Sequence, residues 1–353
     1  MDRQGAIQRL ENREFVWDVI VIGGGASGLG AALESATRGY KTLLLEQDDF
    51  AKGTSSRSTK LVHGGVRYLA QGNISLVLEA LRERGRLKHN APHLVKDQSF
   101  VIPCYNWWCV PFYTIGLTLY DLMAGKLGIG RSVPLSLKRT MQCLPGIKTN
   151  QLRGGVRDYD CQFDDARLAV NLCQTLCEHG GLALNYMKVT GLTLEEGKLT
   201  GVEAEDMERG LIYGLKSKVV INATGVFVDQ VLKMEDPEAR DTVKPSQGIH
   251  LVLDRQFLKG NEALMIPKTS DGRVLFLVPW HNRVVVGTTD VEKQVAELEP
   301  HAEESEVAYI LETASRYLEV PPGKKDVLSV FTGLRPLAAP SGEGKKSKEI
   351  SRG

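Results

Sequence analysis

Between Phe15 and Glu46 the chain runs strand, glycine turn, helix, second strand and acidic stop, an order that narrows the fold more than any other stretch. Val19, Ile20, Val21 and Ile22 form the short apolar, largely β-branched run of a strand covered on both faces. Glycines at 23, 25 and 28 follow in G-x-G-x-x-G spacing, and Leu29, Ala32, Leu33 and Ala36 recur at helical intervals up to Gly39. Thr42 to Leu45 make the next strand, and Glu46 closes it 23 positions after Gly23. Strand, turn, helix and terminal acid together separate a dinucleotide-binding unit from a turn that merely favours glycine.

Each element has a physical task in that unit. Gly23 permits the tight turn, Gly25 lets backbone approach a pyrophosphate, and Gly28 lets the helix pack closely on the sheet. The helix N-terminus offers unpaired N–H groups and a positive dipole end to phosphates. Glu46 can accept from both ribose hydroxyls and would repel a 2′-phosphate, so FAD or NAD is favoured over NADP.

At 353 residues the chain exceeds the roughly 150 expected of one domain, so two lobes are expected. Its 44 basic and 43 acidic residues nearly cancel, which removes any bulk electrostatic argument for nucleic acid. The 36 glycines exceed the usual share of about 7%, as backbone approaching a cofactor in several places requires. Six cysteines include no C-x-x-C pair, and Cys173 and Cys177, at i and i+4 on a helix, read as small core residues. The first apolar run is the fingerprint strand itself, so no signal peptide is expected and a reducing cytoplasm is the expected compartment.

In chain order, Met1 to Glu14 reads as a short polar helix or arm. Gly53 to Leu69 is crowded with hydroxyl, basic and imidazole side chains and, lying directly after the second strand, should border the cofactor. Leu76 to Leu94 reads as an amphipathic helix with Arg82, Glu83, Arg84, Arg86 and Lys88 on its wet side. Pro103 to Gly130 is rich in aromatic residues, but Pro111 and Asp121 interrupt it before about 20 apolar residues accumulate, so a packed helix of the second lobe is expected rather than a membrane span, with a surface that dips into a bilayer edge as the alternative. Leu168 to His179 reads as a helix, and Leu182 to Val189, Lys198 to Ala204 and Lys218 to Ile221 as strands leading to Asn222-Ala223-Thr224-Gly225. From Lys244 the pattern turns to period two, with strands at Ile249 to Leu253, Val274 to Trp280 and Arg283 to Thr289, the last two a hairpin across His281-Asn282.

Gly53 to Leu69, with the fingerprint before it, resembles the FAD-dependent glycerol-3-phosphate dehydrogenase family, the respiratory enzymes of bacteria and of the mitochondrial inner membrane. Trp107-Trp108, Leu119-Tyr120-Asp121-Leu122, Tyr159-Asp160-Cys161, Asp164-Asp165-Ala166-Arg167 and Gly248-Ile249-His250 carry the resemblance further. So do Pro279-Trp280, Gly287-Thr288-Thr289-Asp290, Gly333-Leu334-Arg335-Pro336-Leu337 and Ile350-Ser351-Arg352, in one order along the chain.

The resemblance implies an α/β, glutathione-reductase-like Rossmann FAD-binding fold with an antiparallel-sheet substrate lobe. Residues 15–90, 150–232 and 325–353 would form the discontinuous FAD-binding domain, and 91–149 with 233–324 the substrate or cap domain. FAD would be held by Gly23, Gly25, Ala26, Ser27, Gly28 and Glu46, by Thr54, Ser55, Ser56, Ser58, Lys60, Leu61, His63, Gly64 and Gly65, and by Val189, Ala223, Thr224 and Gly225. The family's Gly-Gly-Lys segment and helical C-terminal domain are expected to be absent, since the residues end at Gly353.

By the same resemblance sn-glycerol 3-phosphate is oxidised to glycerone phosphate, with hydride passing from carbon 2 to flavin and electrons onward to quinone. Arginine suits a phosphate because its guanidinium binds bidentately. Arg335 and Arg352 are therefore assigned to the phosphate, Arg67 and Tyr68 to the reacting hydroxyl, and His250 to the catalytic base, since neutral imidazole can take a proton near neutral pH. A quinone-linked enzyme is expected to sit peripherally on the inner face of the cell membrane, and a homodimer is compatible with the family. The competing readings are an oxidase of the same family that reduces oxygen to peroxide, and a truncated, catalytically silent FAD-binding module. No metal is expected.

Overall fold

The computed structural model describes residues 3–65, 73–125, 128–270 and 272–339. Helix α1 (Arg3–Leu10) leads into β1 (Val16–Ile22), the glycine turn, α2 (Ala26–Thr37) and β2 (Thr42–Leu45). A 3-10 turn at Thr54–Ser56 precedes β3 (Leu61–Val62), after which come α3 (Ile74–Asn90), β4 (Val95–Cys104), α4 (Cys109–Ala124), β5 (Val133–Ser136), α5 (Leu137–Cys143) and β6 (Gly154–Phe163). Helix α6 (Asp165–Glu178) is followed by β7 (Leu182–Leu184), β8 (Met187–Glu195), β9 (Lys198–Asp206), β10 (Leu211–Asn222) and α7 (Val228–Glu235). The remainder is β11 (Val243–Asp254), β12 (Ala263–Ile266), β13 (Leu275–Trp280), β14 (Arg283–Gly287), β15 (Val291–Glu292), α8 (Glu304–Ser315) and β16 (Val327–Ala338).

These strands form two sheets. The first has the order β7-β2-β1-β10-β9-β8, parallel from β7 to β10 and antiparallel beyond. Alternation along β1 explains its two covered faces. Val21 packs with Leu29, Ala32 and Ala36 of α2 and Ala169 and Leu176 of α6, while Ile20 and Ile22 pack with Ile7 and Leu10 of α1 and Val231 of α7. A run apolar at every position is what such a two-sided strand needs.

The second sheet runs β15-β11-β14-β13-β12-β4-β6-β3, with β16 paired along β11 and β5 along β6. Leu251, Leu253, Val284 and Val286 turn to one face, where Ile310, Leu311 and Ala314 of α8 complete the largest apolar cluster. Period two then sends Gly248 and His250 to the opposite face. The hairpin between β13 and β14 turns at His281 and Asn282 with φ of +41° and +60°, the positive pair that a two-residue turn with right-handed strand twist demands.

Three features differ from the sequence expectations. Arg84 is buried at 2% exposure rather than solvated, because its Nη1 reaches the Asp160 carboxylate of β6 at 2.8 Å. Cys104 and Cys109, close across the strand-to-helix turn with Cα atoms 5.4 Å apart, are joined by a disulfide. Finally, α4 packs only one side: Leu117, Tyr120 and Ala124 are buried, while an apolar stripe faces outward.

Candidate active site

The glycine turn lies at the carboxyl ends of β1, β2 and β10, where parallel sheets receive nucleotides. A Cβ on Gly23, whose φ is +110°, would stand 2.5 Å from the Ala223 carbonyl oxygen, and one on Gly28 would stand 1.8 Å from that of Gly23. Both neighbours are backbone, so glycine is obligatory. Gly25 ends the turn without a side-chain cap, and Ala26 and Ser27 lie exposed at the start of α2. The Ala26 N–H donates to Ser55 Oγ at 2.8 Å, which anchors the next loop to the helix N-terminus.

Glu46 accepts from the Gly24 N–H at 2.6 Å and the Asp48 N–H at 2.9 Å. Burial raises its pKa above the usual carboxylate range, and the backbone donors oppose that rise. Met187 N–H donates to the Glu46 carbonyl at 2.7 Å, so β8 passes beside the acid, with Val189 two residues on and its side chain in the core. Opposite, the Thr224 hydroxyl donates to Asn222 Oδ1 at 2.7 Å and Gly225 turns with φ of +59°.

The loop after β2 joins the two sheets. Asp165, at the start of α6, accepts from the Ser58 hydroxyl at 2.7 Å and from Lys60 Nζ at 2.6 Å, and Lys60 also donates to the Ser56 carbonyl at 2.6 Å. The side chains of Ser58 and Lys60 therefore shape the loop, and Ser55 fastens it to α2. Thr54 Oγ1 donates to the Leu334 carbonyl and Arg57 Nη1 to the Thr332 carbonyl at 2.8 Å, which lays the loop across β16. Beyond half-buried Leu61, His63 Nδ1 accepts from the Gly65 N–H at 3.1 Å, and a Cβ on Gly64 would lie 2.1 Å from the Tyr120 hydroxyl.

On the sheet face beneath this loop, β11 and β16 bring His250 and Arg335 together. His250 pairs with Phe331, Gly248 with Gly333, and Ser246 with Arg335, so all six share one face. His250 is 3% exposed, stacks on Phe331 at 4.8 Å between centroids, and places Nε2 2.8 Å from the Thr59 hydroxyl; its Nδ1 has no partner among the described residues. Burial, then the Arg335 and Lys60 cations, push the imidazole down to about 3, so it is neutral at physiological pH. Arg335 Nη2 donates to Thr288 Oγ1 at 3.0 Å, and Nη1 lies 3.5 Å from the Asp290 carboxylate.

Glycine makes room for both groups: a Cβ on Gly248 would be 2.4 Å from Arg335 Nη2, and one on Gly287 would be 2.3 Å from His250 Cδ2. Arg67, Tyr68 and Arg352 lie outside the described residues. Sequence reasoning did not single out Thr59, Phe331, Thr288 or Asp290 as site residues, nor Asp165 as the residue that shapes the loop. The Asp164-Asp165-Ala166-Arg167 and Gly287-Thr288-Thr289-Asp290 motifs carried the signal, but only strand register shows that they converge.

A parallel nucleotide sheet, tied through a hydroxyl-rich loop to a second sheet bearing a buried neutral histidine and an arginine, defines a dinucleotide-dependent oxidoreductase. The chain belongs to the FAD dependent oxidoreductase family, whose model matches residues 18–347, and FAD is its cofactor. The glycine cradle and the helix N-terminus, whose cap position is the side-chain-free Gly25, fit that cofactor's pyrophosphate, and the mixed sheets are those of the family's Rossmann-type fold.

The chain is 40% identical over 366 residues to the mitochondrial glycerol-3-phosphate dehydrogenase of Bos taurus, covering 99% of this chain and 50% of the relative. To that of Arabidopsis thaliana it is 41% identical over 349 residues, covering 95% and 55%. The chain thus spans about half the length of these relatives. The structure of glycerol-3-phosphate dehydrogenase from Bacillus halodurans complexed with FAD superposes with a TM-score of 0.78 at 31% identity, covering 96% of this chain and 60% of that one.

Proposed function

We propose that this protein oxidises sn-glycerol 3-phosphate to glycerone phosphate with FAD and passes the electrons to quinone. The observation that carries the substrate reading is Arg335 held over the Gly248 gap on the same sheet face as the buried His250. FAD, when bound, supplies the hydride acceptor. Arg335 binds the phosphate bidentately, with Arg67 and Arg352 as further cations and Tyr68 orienting the hydroxyl.

Our candidate for the base is His250 through Nδ1, which has no partner among the described residues. Burial holds the imidazole's basicity down most; a phosphate dianion on Arg335 offsets the lesser cationic contribution, so substrate binding shifts His250 upward, in the direction a base needs. Ser55 and the start of α2 would hold the cofactor's phosphates, and Glu46 would accept from its ribose hydroxyls.

The quinone reading is supported by the outer side of α4. Trp108, Phe112, Ile115, Leu119 and Leu122 form a single stripe at helical spacing, and Trp108, Phe112 and Leu122 are 83%, 71% and 73% exposed. Among the described residues no helix is long and apolar enough to cross a membrane. This stripe lets the protein rest on the inner face of the cell membrane, where quinone is dissolved.

The deciding experiment is anaerobic. FAD-loaded protein is mixed with glycerol 3-phosphate, with glycerol as control, and the flavin absorbance is followed. Bleaching by the phosphate ester alone, then reoxidation by a soluble quinone faster than by oxygen, is expected. Retained flavin that neither compound bleaches would refute the substrate, and faster reoxidation by oxygen would make the protein an oxidase.

A further inference from the structure

We propose that Glu306 is a positioning residue for the substrate pocket, acting through Thr289 to hold the segment that sets Arg335 and His250. The inference rests on the reading that Arg335 receives the substrate's phosphate.

Glu306 lies in the first turn of α8 and is 2% exposed. One of its bonds is ordinary helix capping: Oε2 accepts from the Glu303 backbone N–H at 3.1 Å. The other two leave the helix. Oε2 also accepts from Gln247 Nε2 at 2.6 Å, and Oε1 from the Thr289 hydroxyl at 2.6 Å.

The polarity of these bonds is fixed. Thr289 Oγ1 accepts from the Ile249 N–H at 2.9 Å, so its own proton is directed to Glu306. Gln247 Nε2 donates to the His301 carbonyl at 3.0 Å as well as to Glu306. Three donors therefore converge on two oxygens, which a carboxylate can satisfy and a carboxamide, with one oxygen and a donor of its own, cannot.

Alternation turns this anchor into a pocket device. Thr289 points back to Glu306, whereas Thr288 and Asp290 on either side hold Arg335, and Asp290 also accepts from Ser246 Oγ. Ile249, bonded to Thr289, immediately precedes His250. One carboxylate behind the sheet thus fixes the segment carrying the arginine's partners and the backbone beside the histidine. It touches neither functional group.

The test uses the full FAD-loaded chain and the variants E306Q, T289V, T289S and the E306Q/T289V double variant, with R335A as control. Steady-state kinetics and calorimetric titration with glycerol 3-phosphate are measured alongside flavin content. E306Q and T289V should each raise KM and the dissociation constant roughly tenfold, since a displacement of about 1 Å can cost up to about a hundredfold. Flavin content should stay at the wild-type level, T289S should behave as wild type, and the double variant should be no worse than either single one.

KM within twofold of wild type in E306Q, while R335A raises it, overturns the proposal; so does additivity in the double variant. Should R335A leave KM unchanged, the substrate reading fails, and the crystal structure of E306Q decides the positioning role. Arg335 and His250 in their original places would overturn it, and a displacement of about 1 Å or more would sustain it. If E306Q does not fold, T289V carries the same comparisons.

Discussion

Gly248→Ala isolates the geometry of the pocket from the stability of the fold. The added methyl would stand 2.4 Å from Arg335 Nη2, 2.6 Å from Nη1 and 2.6 Å from Thr288 Oγ1. Ordinary contact lies near 3.5 Å, so the guanidinium must retreat by about 1 Å. It is the end of a flexible side chain, and Gly248 has no positive φ that alanine would strain. Stability should therefore fall by less than about 1 kcal/mol. Arg335, however, loses its planar approach to an anion, and losing a charge-assisted pair worth about 1.5–3 kcal/mol corresponds to roughly a tenfold to hundredfold rise in KM for glycerol 3-phosphate. The assay compares KM, flavin content and thermal midpoint with those of wild type. An unchanged KM in a folded, flavin-loaded variant would falsify the placement of the phosphate on Arg335. A large loss of midpoint would instead show that the gap serves packing.

The contrasting substitution is Gly28→Ala, where the methyl meets the Gly23 carbonyl oxygen at 1.8 Å and neither backbone can yield, so purified protein should lose bound FAD; full flavin content would contradict the cradle. Asp158, whose Oδ1 accepts from Ser132 Oγ at 3.0 Å, is pushed up to about 7 chiefly by burial. Its folded pKa thus exceeds the unfolded value, so the folded state keeps a proton the unfolded state loses, and this stability, complete below about pH 4, is lost as pH rises through about 7. Urea unfolding at pH 5 and pH 7.5 should show that decline in wild type and a flatter profile in Asp158→Asn; equal slopes would refute it. On the outer face of α4, Trp108→Ser with Phe112→Ser should weaken cosedimentation with anionic vesicles about tenfold or more while leaving flavin bleaching intact, because burying each aromatic is worth about 2 kcal/mol; unchanged sedimentation would remove the stripe from membrane contact.

What could be read in the sequence was whatever a local period or a short fingerprint encodes. β1, the glycine turn, α2, β2 and the His281-Asn282 hairpin stand where the pattern put them, because each is specified by neighbours within a few residues. Arg84 was misjudged because helical spacing shows only that a cation lies beside polar neighbours; Asp160, 76 residues away, supplies the charge that permits burial. For α4 the sequence offered both a packed helix and a surface at a bilayer edge and could not choose between them, since aromatic content does not say which half of it other elements will cover. Resemblance pointed to His250 and Arg335 as separate motif members. Their common sheet face follows from the register of β11 with β16, and the gaps at Gly248 and Gly287 follow only from coordinates.

The short turn Thr54–Ser56 makes the two halves of the site interdependent. Ser55 is bonded to the first N–H of α2, the proposed seat of the cofactor's phosphates, while Thr54 is bonded to β16 one residue from Arg335, and Thr59 to His250. Asp165 closes the loop between these points through Ser58 and Lys60. A ligand that pulls on Ser55 therefore acts on a segment whose other end touches both candidate substrate groups, with little slack between. Rigid elements with satisfied hydrogen bonds transmit such a displacement rather than absorb it. Coupling must also be reciprocal, so glycerol 3-phosphate should tighten FAD by the factor by which FAD tightens glycerol 3-phosphate. Equilibrium titrations of each ligand with and without the other should show equal factors that shrink together in Asp165→Asn. A coupling that survives in that variant would mean the two ligands communicate by direct contact and not through the loop.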